Sequence, residues 1–519
     1  MADVVVIGAG HNGLVAAALL ARAGLDVRVV ERADVVGGAC RTEYPFAKAP
    51  DLAASTGAYL LGPMPPEIPA LLGLDLPLVR RDPHYFLPTL DGRALLLGAD
   101  AKANHDAFAA FFTEADADAA DRLAAELAAI RDDVAPAWLA EPLPLEETAE
   151  RYLRPELRRV FVEMVRGSAL EYLDRFGFAS PEVVAMYAVT DGMPGFTGTP
   201  WDPGSGHNIL VHNMCRLPGA DGTWMVVRGG MGTVTRRLAE AAQRFGARIT
   251  LGTPVERVLV SAGAVTGVVT AAGEEIPARA VLAATDPFRL PALLGEHLPA
   301  ALAARIERWS RYPGQTMKIN LALSGLPTFA ALPEPRGQHG TTVHLLPPPA
   351  PSQSVLDALR EAFTHAGEGR LPGTLPLEWY LHSTLDPSLR DGDGNHSSAL
   401  FVQGVPHVPA GSDWAAEKDA FVARMLDQVA RYAPDLPELV VDVHALAPPE
   451  IEAHFGITGG NIDHVDNAFA FTDRVPYALG LPGMYAGAAG CHPAGSVIGA
   501  AGHNAANRII ADLAAAPTP

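Results

Sequence analysis

The chain has 519 residues, 59 acidic against 39 basic side chains, a formal net charge of −20 and 49% hydrophobic residues. That length exceeds one compact core, so two domains are expected, and the composition is that of an ordinary globular protein. The acidic balance, with no run of Lys or Arg, argues against nucleic acid as a partner.

Three cysteines, Cys40, Cys215 and Cys491, stand far apart with no CxxC pair. This argues against a disulfide framework and against a dithiol redox centre. The 17 histidines include no HExxH and no cluster with Cys, so no metal site is expected, and no GxSxG elbow supports hydrolase chemistry. Only Lys48, Lys102, Lys318 and Lys418 are lysines; with the Ala, Gly and Pro richness this suggests a GC-rich bacterial genome. Val4–Ile7 already reads as a strand, leaving no room for a leader, and no apolar run reaches membrane-spanning length. A cytoplasmic protein is expected, with peripheral membrane contact left open.

In chain order, Asp3–Ile7 is near-continuously apolar, as a central parallel strand should be. Leu14–Ala23 reads as a helix stopped by Gly24, and Val27–Val30 as a second strand ending at Glu31. From about 50 to 213, Ala- and Glu-rich helical segments dominate, among them Ala117–Ile130 and Glu156–Tyr172. Trp224–Arg228 then reads as a strand, Thr233–Phe245 as a helix, and Arg248–Thr250, Val255–Val260, Ala264–Thr270 and Ala280–Ala284 as strands. Thr316–Leu323 alternates like a strand, 331–411 reads as irregular and Pro-rich, and Trp414–Tyr432 as a helix. Gly483–Ile510 runs strand, Gly-rich turn, helix.

Gly8-Ala9-Gly10-His11-Asn12-Gly13 is a GxGxxG turn between the first strand and the first helix. Gly8 permits the tight turn, Gly10 lets a diphosphate approach the backbone, and Gly13 lets helix and strand pack closely. Free N–H groups and the helix dipole favour the diphosphate there. Glu31, 21 residues after Gly10, is placed to accept hydrogen bonds from a ribose diol. The turn alone does not separate FAD from NAD.

Glu31-Arg32 is followed by Gly37-Gly38-Ala39-Cys40-Arg41-Thr42, which resembles the extended FAD motif of the glutathione-reductase-like superfamily, amine-oxidase branch. A second close backbone approach to an extended FAD, with Arg41 available to its phosphate, is what that resemblance implies; an ordinary turn is the other reading. The C-terminal stretch from Gly487 through Cys491, His492, Ser496 and Val497 leads into a helix whose N-terminal amides can face the flavin ring.

Further pieces resemble the phytoene desaturase and carotenoid isomerase family: Gly229-Gly230-Met231-Gly232, Lys318 to Leu323, Asp386-Pro387-Ser388-Leu389, Gly459 to His464, and Gly490-Cys491-His492-Pro493. Together with the two N-terminal motifs they span the chain. Cys491 and Ala494 depart from the family's pattern around His-Pro. The resemblance implies FAD, an amine-oxidase-like fold, and dehydrogenation or isomerisation of a lipophilic, unsaturated small molecule by hydride transfer to flavin N5.

The expected fold is α/β: a Rossmann-like FAD-binding domain from 1–60, 215–290 and 450–519, interleaved with an α+β substrate domain from 61–214 and 291–449. The expected cofactor contacts are Gly8, Gly10, Asn12, Gly13, Glu31, Arg32, Gly37, Gly38, Arg41, Val255, Gly487, Ser496 and Val497, with Val255 offering its backbone to the adenine. His492 is the candidate to orient substrate or move a proton, or else to cap its turn. Cys491 offers either a covalent flavin bond or simple packing. Gly229 to Gly232 lacks the third glycine of a second dinucleotide site. A flavin amine oxidase is one alternative, although no aromatic cage is visible in the sequence. A flavoprotein serving mainly as a scaffold is another.

Overall fold

A computed structural model describes residues 1–515. The last four residues of the expected 450–519 segment lie outside the described residues.

The chain builds two seven-stranded sheets. In the first, a parallel array runs Arg248–Thr250, Val27–Val30, Ala2–Ile7, Glu275–Ala283, Met484–Ala486. Val4, Val5 and Val6 are fully buried in its centre, because helices cover the sheet and a parallel strand must be apolar on both sides. The N-terminal end of Glu275–Ala283 switches partner and pairs antiparallel with Ala264–Thr270, which pairs with Val255–Ser261. Helix His11–Arg22 packs between this sheet's strands and the helices Gly232–Arg244 and Ala500–Ala515. The approach to the last helix is so close that a Cβ on Gly502 would stand 2.0 Å from Asn12 O.

The second sheet has the order Val440–Leu446, Thr316–Leu323, His396–Gln403, Leu377–Tyr380, Thr342–Leu345, Tyr85–Pro88, Ala94–Leu97. Every pairing is antiparallel except Thr342–Leu345 with Tyr85–Pro88. Its two faces differ in kind. Met317, Ile319, Leu321, Leu400, Val402 and Trp379 form an apolar core with Phe421, Met425 and Val429 of helix Trp414–Ala430. The alternate positions carry Lys318, Phe401, Glu378, Tyr380, Thr342 and His344, and these too are buried.

Most expected elements stand within a few residues of their places, and Thr316–Leu323 has the expected ends. Three readings are corrected. The segment 331–411 is not irregular: it holds three strands of the second sheet and helix Val355–Gly367. Two of those strands are only four residues long and mix polar with apolar residues, because one face of the sheet is polar. Glu156–Tyr172 is two helices, Pro155–Arg166 and Ala169–Asp174, parted where Ser168 and Glu171 form a capping box. Trp224–Arg228 contributes only Val226–Val227, which pairs with Leu78–Val79 outside both large sheets.

Candidate functional site: a cavity from the glycine turns to the second sheet

One cavity of about 1190 Å³ reaches from the GxGxxG turn to the polar face of the second sheet. At one end it is lined by Gly8, Gly10, Asn12, Glu31, Arg32, Gly37, Gly38, Val255, Ser496 and Val497.

The geometry of that end is set by backbone. Gly8 has φ +104° and Gly37 φ +123°, conformations that a side chain resists. A Cβ on Gly13 would stand 2.2 Å from Gly8 O, so Gly13 serves the packing of helix on turn. Gly10 is different: its φ is −71°, and no protein atom lies within 4 Å of where a Cβ would be. Nothing within the protein requires glycine there, and the open space leaves the backbone free for a ligand to approach. The helix that starts at His11 has no side-chain cap and no acid in its first turn, so its first N–H groups remain available to an anion.

Gly37 N donates to Ala9 O at 2.8 Å, which joins the second glycine pair to the first turn. Glu31 is buried and fixed by Ala9 N at 2.7 Å and Ala33 N at 2.9 Å. Asn12 Oδ1 accepts from Gly502 N at 3.3 Å and so ties the two helix N-termini together beside the cavity. Ser496 holds φ +109°, a strained position for a serine, just ahead of the second of these helices. These residues fit an extended dinucleotide: an uncapped helix start, a cleared backbone at Gly10, and a fixed carboxylate at the end of the second strand.

Four expected site residues do not line the cavity. Gly13 and Gly487 are packing glycines; a Cβ on Gly487 would meet Ala505 Cβ at 2.8 Å. Arg41 is turned away to Glu43 at 2.9 Å and to His454 O at 3.3 Å. His492 is 1% exposed, and its Nε2 lies 2.9 Å from Ala137 O. Burial, ahead of the other influences, holds its pKa down to about 4. The catalytic reading of His492 therefore gives way to a role in fixing the turn. Cys491 also stands off the cavity, buried and pushed up to about 12, which leaves it the packing role.

At the other end of the cavity, cross-strand register places Lys318 opposite Phe401, Phe401 opposite Glu378, and Glu378 opposite His344. These four residues form a row across four adjacent strands, and all line the cavity. Lys318 Nζ lies 3.8 Å from the centre of the Phe401 ring and 4.5 Å from that of Tyr59. Tyr59 in turn is 5.2 Å from Tyr380. An aromatic cage invisible in the sequence is thus assembled by the fold, and the protein's own ammonium occupies it. Burial pushes Lys318 down to about 7 and pushes Glu378 upward. Phe108, Leu127 and Met186 of three helices line the same cavity and supply its apolar roof.

Two further buried residues hold the walls: Asp386, which the sequence offered only as part of a motif, and Arg474, which it did not single out. Asp386 Oδ2 accepts from Gly229 N at 2.7 Å and Gly230 N at 3.2 Å, while Ser55 Oγ takes Met231 N and Thr42 Oγ1 takes Gly232 N. The N–H groups of the Gly229 to Gly232 turn are therefore spent on side chains, which explains why it is no second dinucleotide site. Arg474, 1% exposed, donates to the carbonyls of Val465, Phe469, Ala489 and Cys491 at 2.8–3.0 Å and so fixes the loops behind the cavity.

The family described as flavin containing amine oxidoreductase matches residues 13–327. The chain belongs to that family. It is 35% identical to mouse pyridine nucleotide-disulfide oxidoreductase domain-containing protein 2, over 98% of this chain and 94% of that one. It is 28% identical to hydroxyneurosporene desaturase of Cereibacter sphaeroides, over 98% of each chain. Among solved structures, an oxidoreductase from Methanosarcina mazei superposes with a TM-score of 0.62 at 16% identity, covering 98% of this chain and all of that one. This family member is thus an FAD-dependent oxidoreductase with a Rossmann-like domain and a substrate domain, akin to the phytoene desaturase-like proteins, as expected. The disulfide in the mouse relative's name has no counterpart in a reactive pair here, since Cys40, Cys215 and Cys491 are free and buried. No helix among the described residues is long and apolar enough to cross a membrane.

Proposed function

We propose that this flavoprotein dehydrogenates, or isomerises, an unsaturated and largely apolar substrate held between the helical roof and the second sheet. The observation that carries this reading is the charge inventory of the cavity. Glu378 is engaged by Tyr380 and Gln403, Asp191 by His212, Asp121 by His105 and Asp221 by Arg80. Asp463 Oδ2 has no hydrogen-bond partner, but burial pushes this carboxyl up to about 7, so it is a weak counter-charge at neutral pH. Arg81 and Lys318, by contrast, have no carboxylate partner. Such an inventory disfavours a substrate ammonium and so weighs against amine oxidation. The likeness to a protein named hydroxyneurosporene desaturase supports the same direction.

In this reading Gly8, Gly10, Gly37 and Gly38 take the diphosphate, Glu31 the ribose and the Val255 backbone the adenine, with Ser496 and Val497 at the flavin end. Bound FAD supplies the hydride acceptor. The chain's part is to orient the C–H bond, exclude water through the roof, and offer Lys318 as a group that exchanges a proton near neutral pH. Anaerobic mixing of the yellow protein with polyenes, other lipophilic alkenes and small amines tests this. Flavin bleaching with a product two hydrogens lighter, or altered double-bond geometry by chromatography, is expected from unsaturated apolar compounds. Bleaching by amines alone rejects it.

A further inference from the structure

Arg81 is 5% exposed, yet its partners are neutral. Nε donates to Trp224 O at 2.9 Å and Nη1 to Thr342 Oγ1 at 2.5 Å. Nη2 has no protein partner and is not sealed in the interior; Arg81 lines the cavity and also a recess of about 10 Å³ beside His382 and Leu385, which is too small for more than a water, so the room for a ligand is on the cavity side. The anchors are themselves fixed. Trp224 donates from its indole to His212 O at 3.0 Å and lies so close to Gly62 that a Cβ there would stand 2.4 Å from the ring. Thr342 sits on the second sheet opposite Tyr380. Glu378, the carboxylate closest in influence to Arg81, has its two oxygens taken by Tyr380 and Gln403.

A buried guanidinium held in place by neutral acceptors, with one amino group open to a cavity, is a prepared anion site. We propose that the substrate carries a carboxylate, that Arg81 binds it at the polar floor, and that the unsaturated chain lies beneath Phe108, Leu127 and Met186. A planar monoanion suits this site better than a phosphate. Only one amino group is open, and the neighbouring His84 and His344 are held neutral by burial, with Arg81 adding to the effect. The inference rests on the desaturation reading and narrows its substrate to an amphipathic acid.

The test uses three probes with one carbon skeleton, geranate, geraniol and geranylamine, titrated into the FAD-loaded protein. Binding is read as a perturbation of the flavin absorbance spectrum. Geranate should bind at least about tenfold tighter than geraniol, as expected for a charge-assisted bond at a buried site, with geranylamine weakest. Arg81→Gln should remove that preference, and Arg81→Lys should restore part of it, with flavin content unchanged in both. Equal binding of acid and alcohol by the unaltered protein, or a preference that survives Arg81→Gln, overturns the inference. If geraniol or a hydrocarbon is dehydrogenated while geranate is ignored, the desaturation reading stands and the carboxylate site falls. If geranylamine alone binds and bleaches the flavin, both fall.

Discussion

The two ends of the cavity are built in different ways. The dinucleotide end is made of backbone: left-handed glycines, an uncapped helix start and one carboxylate fixed by amides. The substrate end is made of side chains, brought together by register between strands, as Lys318 is with Phe401 and Glu378 about 60 to 80 residues later. A site made of backbone tolerates almost no substitution and leaves its pattern in consecutive residues. A site made on a sheet face leaves only isolated polar residues within apolar strands.

The sharpest way to break the comparison is at Gly10 and Gly13. A side chain at Gly10 meets no protein atom, so Gly10→Val should fold normally and emerge colourless, with flavin content at background and a thermal midpoint close to that of the stripped protein. Gly13→Val should instead fail to accumulate as folded protein, because its Cβ would collide with Gly8 O. Flavin absorbance and thermal melts of the two variants separate ligand clearance from packing. A Gly10→Val protein with full flavin occupancy would remove this turn from the cofactor site.

A smaller but still large effect is expected behind the substrate end. Arg474→Met strands several buried carbonyls and should lower the thermal midpoint by roughly 3 °C, since losing a buried hydrogen-bonded charge costs on the order of 3 kcal/mol. An unchanged melt would deny Arg474 its role in fixing the loops.

Lys318 gives a signed, pH-dependent test. Burial brings it down to about 7 from the ordinary lysine value of 10.5. The folded state therefore binds fewer protons than the unfolded chain between those limits, and wild-type stability should rise with pH across that window. The cost of burying the ammonium is complete below about pH 7 and fades toward about pH 10.5. Lys318→Met should accordingly gain thermal stability over the wild type near pH 7 and lose that advantage near pH 10. The opposite trend would mean that the ammonium is compensated in its cage.

The smallest effect is expected at the thiols. Replacing Cys40, Cys215 and Cys491 with Ala or Ser should leave flavin reduction in place, and the denatured chain should carry no flavin mass on Cys491, which lies off the cavity. A mass increase equal to FAD would restore the covalent reading.

The same contrast explains what could be read from the sequence. The turn at Gly8 to Gly13, Glu31 and the Gly37-Gly38 pair were legible because strand, turn and helix are consecutive and each glycine answers a local demand. Asp386 was visible only as part of a motif; its partners Gly229 and Gly230 lie more than 150 residues earlier. For His492 the sequence left two roles open, and only the fold, which drives it onto Ala137 O, favours fixing the turn over meeting substrate. Lys318 did leave a signal: it is one of four lysines, set in the middle of an alternating buried strand. Arg81 left none, since its surroundings come from Trp224 and Thr342.

The central claim is that one cavity joins a backbone-built FAD cradle to a side-chain-built substrate floor. A high-resolution crystal structure of the FAD-loaded protein tests it most directly. The account predicts the diphosphate against Gly10, a ribose on Glu31, and the flavin ring between Ser496–Val497 and the face bearing Lys318, with Arg81 still free of any carboxylate of the chain. A flavin placed away from that face, or a Glu31 that does not touch the cofactor, would contradict it.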